Sequence, residues 1–158
     1  YKTAVLVGAA MKMGAIVAET SEENKNLIYD FGLNLGIAFQ LQDDYLDAFG
    51  NPETFGKQVG GDIIENKKTY LYLKALEFGN SEEKEQLLHL FSIQPNDNTD
   101  KISSVKDIFN QTGASQATQK AIQDYTFFAF ETLEKMNISN DKKMILKAFG
   151  EKLMNRNV

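Results

Sequence analysis

The sequence contains no cysteine, which excludes disulfides and thiolate-bound zinc and fits a cytoplasmic protein. Its single histidine, His89, is too few for a multi-histidine metal centre and makes histidine-based catalysis a poor expectation. Arginine is represented by Arg156 alone, so an anionic substrate would meet lysine point charges rather than bidentate guanidinium forks. No apolar run reaches the ~20 residues of a membrane span. The longest candidate, Ala4 to Ala18, is interrupted by Lys12 and reads as a buried helix. The net charge of −5 argues against nucleic-acid partners.

What the 158 residues do contain is helical patterning. With 42% hydrophobic and 25% charged residues, the chain has enough apolar side chains for a core in one domain-sized piece. Apolar positions recur at helical spacing and no alternating strand pattern stands out, so the expected class is all-α. A first helix is read over 2–19, rich in glycine and alanine that permit close backbone approach. A second is read over 22–49, with Ser21 set to cap it and Glu22 and Glu23 suited to its first turn. Further helices are read over 62–78, 81–93, 101–112, 115–136 and 140–154, with a surface linker at 94–100. Phe127, Phe128 and Phe130 are assigned to the core, and His89 to the surface.

One stretch breaks the pattern. Within the apolar second helix stand Gln40, Asp43, Asp44 and Asp47, spaced i, i+3, i+4, i+7 and therefore on one face. Carboxylates ~6 Å apart repel by roughly 2–3 kcal/mol per pair at an effective dielectric of ~20, less when solvated. A hard divalent cation with oxygen ligands would offset that cost, and Mg²⁺ is the expected cofactor. A solvated acidic face is the competing reading. A glycine-rich loop, Gly50 to Gly60, comes next and carries Lys57, and after it stand Asp62, Lys67 and Lys68. Carboxylates for a metal beside lysines for phosphate oxygens fit a metal-bridged diphosphate. Taken alone, Lys57 is an ordinary loop lysine, Gln40 fits a satisfied core amide and Phe39 fits the core.

The run FQLQDDYLDAFGNPETFGKQVGGDIIENKKT, from Phe39 to Thr69, resembles the second aspartate-rich region of the trans-isoprenyl diphosphate synthases, the polyprenyl synthetases. Lys2-Thr3, ahead of a small-residue helix, resembles the Lys-Thr pair upstream of that region. The resemblance implies the isoprenoid synthase helical fold, with residues 1–158 forming the C-terminal part of a single polyprenyl synthetase domain. It implies a prenyltransferase that condenses isopentenyl diphosphate with an allylic diphosphate, and a homodimer. Asp43, Asp44, Asp47 and Asp62 would hold Mg²⁺. Lys2, Lys57 and Lys67 would contact diphosphate oxygens, with Asp43, Lys2 and Lys57 as the catalytic set. Thr3 and Gln40 would lie beside the diphosphate, and Phe39 near the apolar tail.

These residues hold no match for the other aspartate-rich motif of that family, so the chain alone is expected to be inactive. Two alternatives stay open, a terpene cyclase and a non-catalytic helical subunit of a heteromeric prenyl synthase.

Overall fold

In a computed structural model, which describes residues 2–51 and 59–155, the helical periodicity resolves into eight helices with no strand among those residues. They are α1 (Lys2–Val17), α2 (Glu22–Phe49), α3 (Gly61–Ile64), α4 (Tyr70–Phe78), α5 (Ser81–Leu90), α6 (Thr99–Gln111), α7 (Ala114–Lys135) and α8 (Asn140–Met154). The expected all-α class holds. No helix among the described residues is long and apolar enough to cross a membrane. The chain divides into two units, one of residues up to Gln40 with those from Ala121, the other from Leu41 to Lys120.

In the first unit the turn before α2 is fixed by side chains. Ser21 Oγ accepts the Asn24 backbone N–H at 3.2 Å, the capping bond its position implies. Buried Asn24 then ties this turn to the α7–α8 connection: Asn24 Nδ2 donates to the Asn137 carbonyl at 3.1 Å, and the Asn137 N–H returns a bond to Asn24 Oδ1 at 3.0 Å. Ile28, Phe31, Leu35, Ala129, Leu133 and Met136 form the core, with Phe130 packed on it and against Phe31.

The reading of Ala4–Ala18 as a buried helix is corrected. Leu6, Met13, Ile16 and Val17 are exposed, Val17 at 83%. The reason lies in the small residues. A Cβ on Gly36 would come within 2.7 Å of Ala4 Cα, and one on Gly8 within 2.9 Å of the Tyr29 carbonyl oxygen. α1 therefore lays its narrow Ala4–Gly8 side on α2, which turns its larger apolar side chains outward. Phe127 and Phe128 are likewise exposed rather than core, because Ala129 and Leu133 supply the buried positions of that stretch of α7. His89 is exposed as expected.

The second unit centres on Ile63, Leu71, Tyr72, Leu87, Val105, Ile108 and Phe109. α6 packs against α3, α4 and α5. α5 begins with a capping box between Asn80 and Glu83. The expected helix over 62–78 is two helices. Asn66 adopts a left-handed φ of 56°, which ends the first turn, and extended Thr69 starts α4. Lys101 holds that break in place. Its buried ammonium donates to Asn66 Oδ1 at 2.6 Å and to the Ile93 carbonyl at 3.0 Å.

Candidate functional site

α2 runs without a break from Glu22 to Phe49, so the helical spacing that groups Asp43, Asp44 and Asp47 is realised. Asp47 anchors the start of α3. Its carbonyl accepts the Gly60 N–H at 2.6 Å, and its Oδ2 accepts the Asp62 N–H at 2.8 Å. The carboxylate thus caps the short helix α3 from a different part of the chain, where the Gly60 cap position has no side chain to offer. The two glycines before Asp62 have separate duties. Gly60 sits at φ 86° with Ile102 atoms 2.9–3.0 Å from where a Cβ would be, and a Cβ on Gly61 would press on Asp47 Oδ1 at 3.1 Å. Together they let the backbone close onto the carboxylate.

Asp62, once fixed by its backbone, holds Lys67. The Lys67 ammonium lies 2.7 Å from Asp62 Oδ1 and 2.9 Å from Glu65 Oε2. Those bonds, Asp62 first and Glu65 second, keep Lys67 protonated well above the ordinary lysine range. Asp47 moves in the direction opposite to a salt-bridged carboxylate. Burial pushes it above the usual carboxylate range against the Asp62 N–H bond, and the Asp62 and Asp43 charges add to the rise. Asp44, Asp47, Asp62, Lys67 and Thr69 line a cavity of about 10 Å³, close to one water molecule in size.

Hard oxygen donors of this kind suit Mg²⁺, which binds one or two carboxylates together with water and phosphate oxygens rather than an all-protein cage. Among the described residues no group of three His, Cys, Asp or Glu side chains is placed to hold a metal ion. Lys68, beside Lys67, is exposed.

The remaining candidates belong to the first unit. Thr3 Oγ1 donates to Gln40 Oε1 at 2.9 Å, which orients the amide and leaves its nitrogen as the donor end. Lys2 is exposed at the first turn of α1, and Phe39 is half-buried. Lys57 lies outside the described residues, as does Arg156. Sequence reasoning missed Glu65 as a second anchor for Lys67, and Asn66 with Lys101 as the support beneath it. The only available signal was an asparagine between an acidic residue and two lysines, a residue tolerant of the left-handed conformation.

The sequence profile described as polyprenyl synthetase matches residues 1–112. The chain is similar to a short chain isoprenyl diphosphate synthase of Methanothermobacter thermautotrophicus, 35% identical over 144 residues, covering 91% of this chain and 43% of that protein. Among solved structures it is similar to a geranylgeranyl pyrophosphate synthase at a TM-score of 0.89 and 49% identity, covering 99% of this chain and 49% of that one. It is also similar to the geranylgeranyl pyrophosphate synthase of Corynebacterium glutamicum complexed with isoprenyl diphosphate and magnesium. There the TM-score is 0.80 and the identity 27%, over 92% of this chain and 41% of that one. The chain spans under half the length of each of these proteins.

Proposed function

This chain belongs to the polyprenyl synthetase family, and on that premise we propose that it carries a diphosphate-ionising face of a trans-prenyltransferase. The reaction is the head-to-tail condensation of isopentenyl diphosphate with an allylic diphosphate, in which the allylic C–O bond breaks and pyrophosphate departs. The relative complexed with isoprenyl diphosphate and magnesium supports both the substrate class and the metal.

Asp43, Asp44, Asp47 and Asp62 would hold Mg²⁺, which when bound supplies positive charge against the departing diphosphate. The work of the protein's own residues begins at the corner around Asp47. The Asp62 N–H on Asp47 Oδ2 and the Lys67 ammonium on Asp62 Oδ1 are the observation that carries the reading. In this arrangement Lys67 is parked on two carboxylates. Asp62 would help to hold the metal, and Lys67, no longer needed as its counter-ion, would be available to a phosphate oxygen. By resemblance to the family, Lys2 and Lys57 are assigned to diphosphate oxygens. The Thr3 hydroxyl holds the Gln40 amide by its oxygen. Apolar residues of α2 exclude water that would quench the allylic cation. Homodimeric assembly and a cytoplasmic location belong to the same reading and rest on the family alone.

A condensation assay with labelled isopentenyl diphosphate tests the division of labour. The sequence has one DD cluster, at Asp43-Asp44, so the 158-residue chain by itself is expected to give no turnover. Robust turnover by the chain alone contradicts the assignment of a second metal face elsewhere.

A further inference from the structure

Away from the aspartates, the first unit contains a cleft of about 490 Å³. Its floor is apolar, with Ile28 and Met136 buried and Met11 and Leu146 half-buried. Gly14, Ala18, Lys142 and Ile145 form an exposed rim. We propose that this cleft binds the hydrocarbon chain of a single-chain amphiphile, with its anionic head at the Lys142 ammonium.

Three observations carry the proposal. The volume falls within the roughly 300–1,000 Å³ of small-molecule sites, which are mostly apolar with few polar groups. An α-helix is about 10–12 Å across with a 5.4 Å pitch, so one turn would displace roughly 420–610 Å³. The cleft therefore suits a narrow chain better than a helical peptide. Second, Lys142 is the one charged side chain lining the cleft, and among the described residues it has no ion-pair partner. Third, Gly14 lies within α1, where glycine is disfavoured against alanine. Gly8, Gly32 and Gly36 are explained by close approach of α1 and α2, but a Cβ on Gly14 would meet nothing within 4 Å. A side chain at this position would enter the open space of the cleft that Gly14 lines.

The methionines provide the readout. Of the five, Met11 and Met136 line the cleft, while Met154 packs elsewhere in the same core. The chain labelled with ¹³C-methyl methionine is titrated with laurate below its micelle concentration, and in a second arm with farnesyl monophosphate. The expected result is saturable movement of the Met11 and Met136 signals with Met154 unmoved, and the tighter arm identifies the chain type. Gly14→Leu, which grows a side chain into open space, is expected to weaken binding about tenfold, the equivalent of about two buried methylenes. Lys142→Glu, on the exposed rim, is expected to weaken laurate but not dodecanol. The Met154 signal and the thermal midpoint monitor the fold of both variants. The proposal is overturned by absence of saturable movement, by uniform movement of all methionines, or by unchanged laurate affinity in a folded Gly14→Leu variant. It is equally overturned if the Met11 and Met136 signals move on protein dilution without ligand, which would mean that a second copy covers the cleft.

Discussion

Replacing Asp47 by asparagine separates what this residue does for the fold from what it does for the site. Asparagine keeps an oxygen for the Asp62 N–H, which Asp47 now accepts at 2.8 Å, and it removes the charge. That charge is a burden in the metal-free protein, since burial and the neighbouring Asp62 and Asp43 carboxylates all push the Asp47 carboxyl upward. Two carboxylates ~6 Å apart repel by roughly 2–3 kcal/mol at a dielectric of ~20. Partial exposure and salt screening reduce the recoverable part to about 1 kcal/mol. Asp47→Asn is therefore expected to raise the melting temperature in EDTA at pH 7 by about 2–4 °C for a chain of this size. The sign can be checked by pH. A raised native pKa means that the folded state binds the proton more tightly than the unfolded one. The penalty is then fully present above the raised native value and vanishes as pH falls below the unfolded value of about 3.9. The advantage of the variant should disappear over the same window. With saturating Mg²⁺ and pyrophosphate the order reverses, because a ligand at about 100 times its Kd adds about 2.7 kcal/mol to the state that binds it. Thermal unfolding by circular dichroism, with and without ligand, reads both effects. A variant less stable than wild type in EDTA, or one with an undiminished ligand-induced shift, would refute the reasoning.

Other substitutions test the supports. Lys101→Met strands Asn66 Oδ1 and the Ile93 carbonyl, at a cost of about 2–3 kcal/mol by urea unfolding at pH 7. Burial lowers the Lys101 pKa, so linkage makes wild type gain stability as pH rises toward the unfolded value of about 10.4, and the deficit of the variant should widen there. Asn24→Ala removes both bonds to the Asn137 backbone and is expected to cost about 2–3 kcal/mol in the same assay. The same change at two glycines of the first unit should have opposite signs. Gly36→Ala drives a methyl to within 2.7 Å of Ala4 Cα and should lose about 1–2 kcal/mol net of helix propensity. Gly14→Ala meets nothing and should gain up to about 1 kcal/mol.

Local signals made much of this legible in the sequence. The bounds of α2 follow from Ser21, the glutamates after it and Gly50, and the observed helix covers Glu22–Phe49. The aspartate face was legible because like charges at i, i+3 and i+4 in an apolar helix demand a reason. The break between α3 and α4 was not, since the left-handed Asn66 is held by Lys101, thirty-five residues away, and a lysine on an amphipathic helix reads as solvent-facing. The exposure of α1 was hidden for a related reason. Periodicity shows which residues are apolar, but here the small ones face the neighbouring helix. The parking of Lys67 on Asp62 and Glu65 depends on a turn closed by the Lys67 N–H on the Asp62 carbonyl and supported by the distant Lys101.

Crystals of the protein grown with Mn²⁺ and pyrophosphate test the central assignment most directly. The account predicts an anomalous peak beside Asp43, with the Lys67 ammonium moved from Asp62, where it now lies 2.7 Å away, to a phosphate oxygen. Pyrophosphate bound with no peak beside Asp43, or with Lys67 still on Asp62, would contradict it.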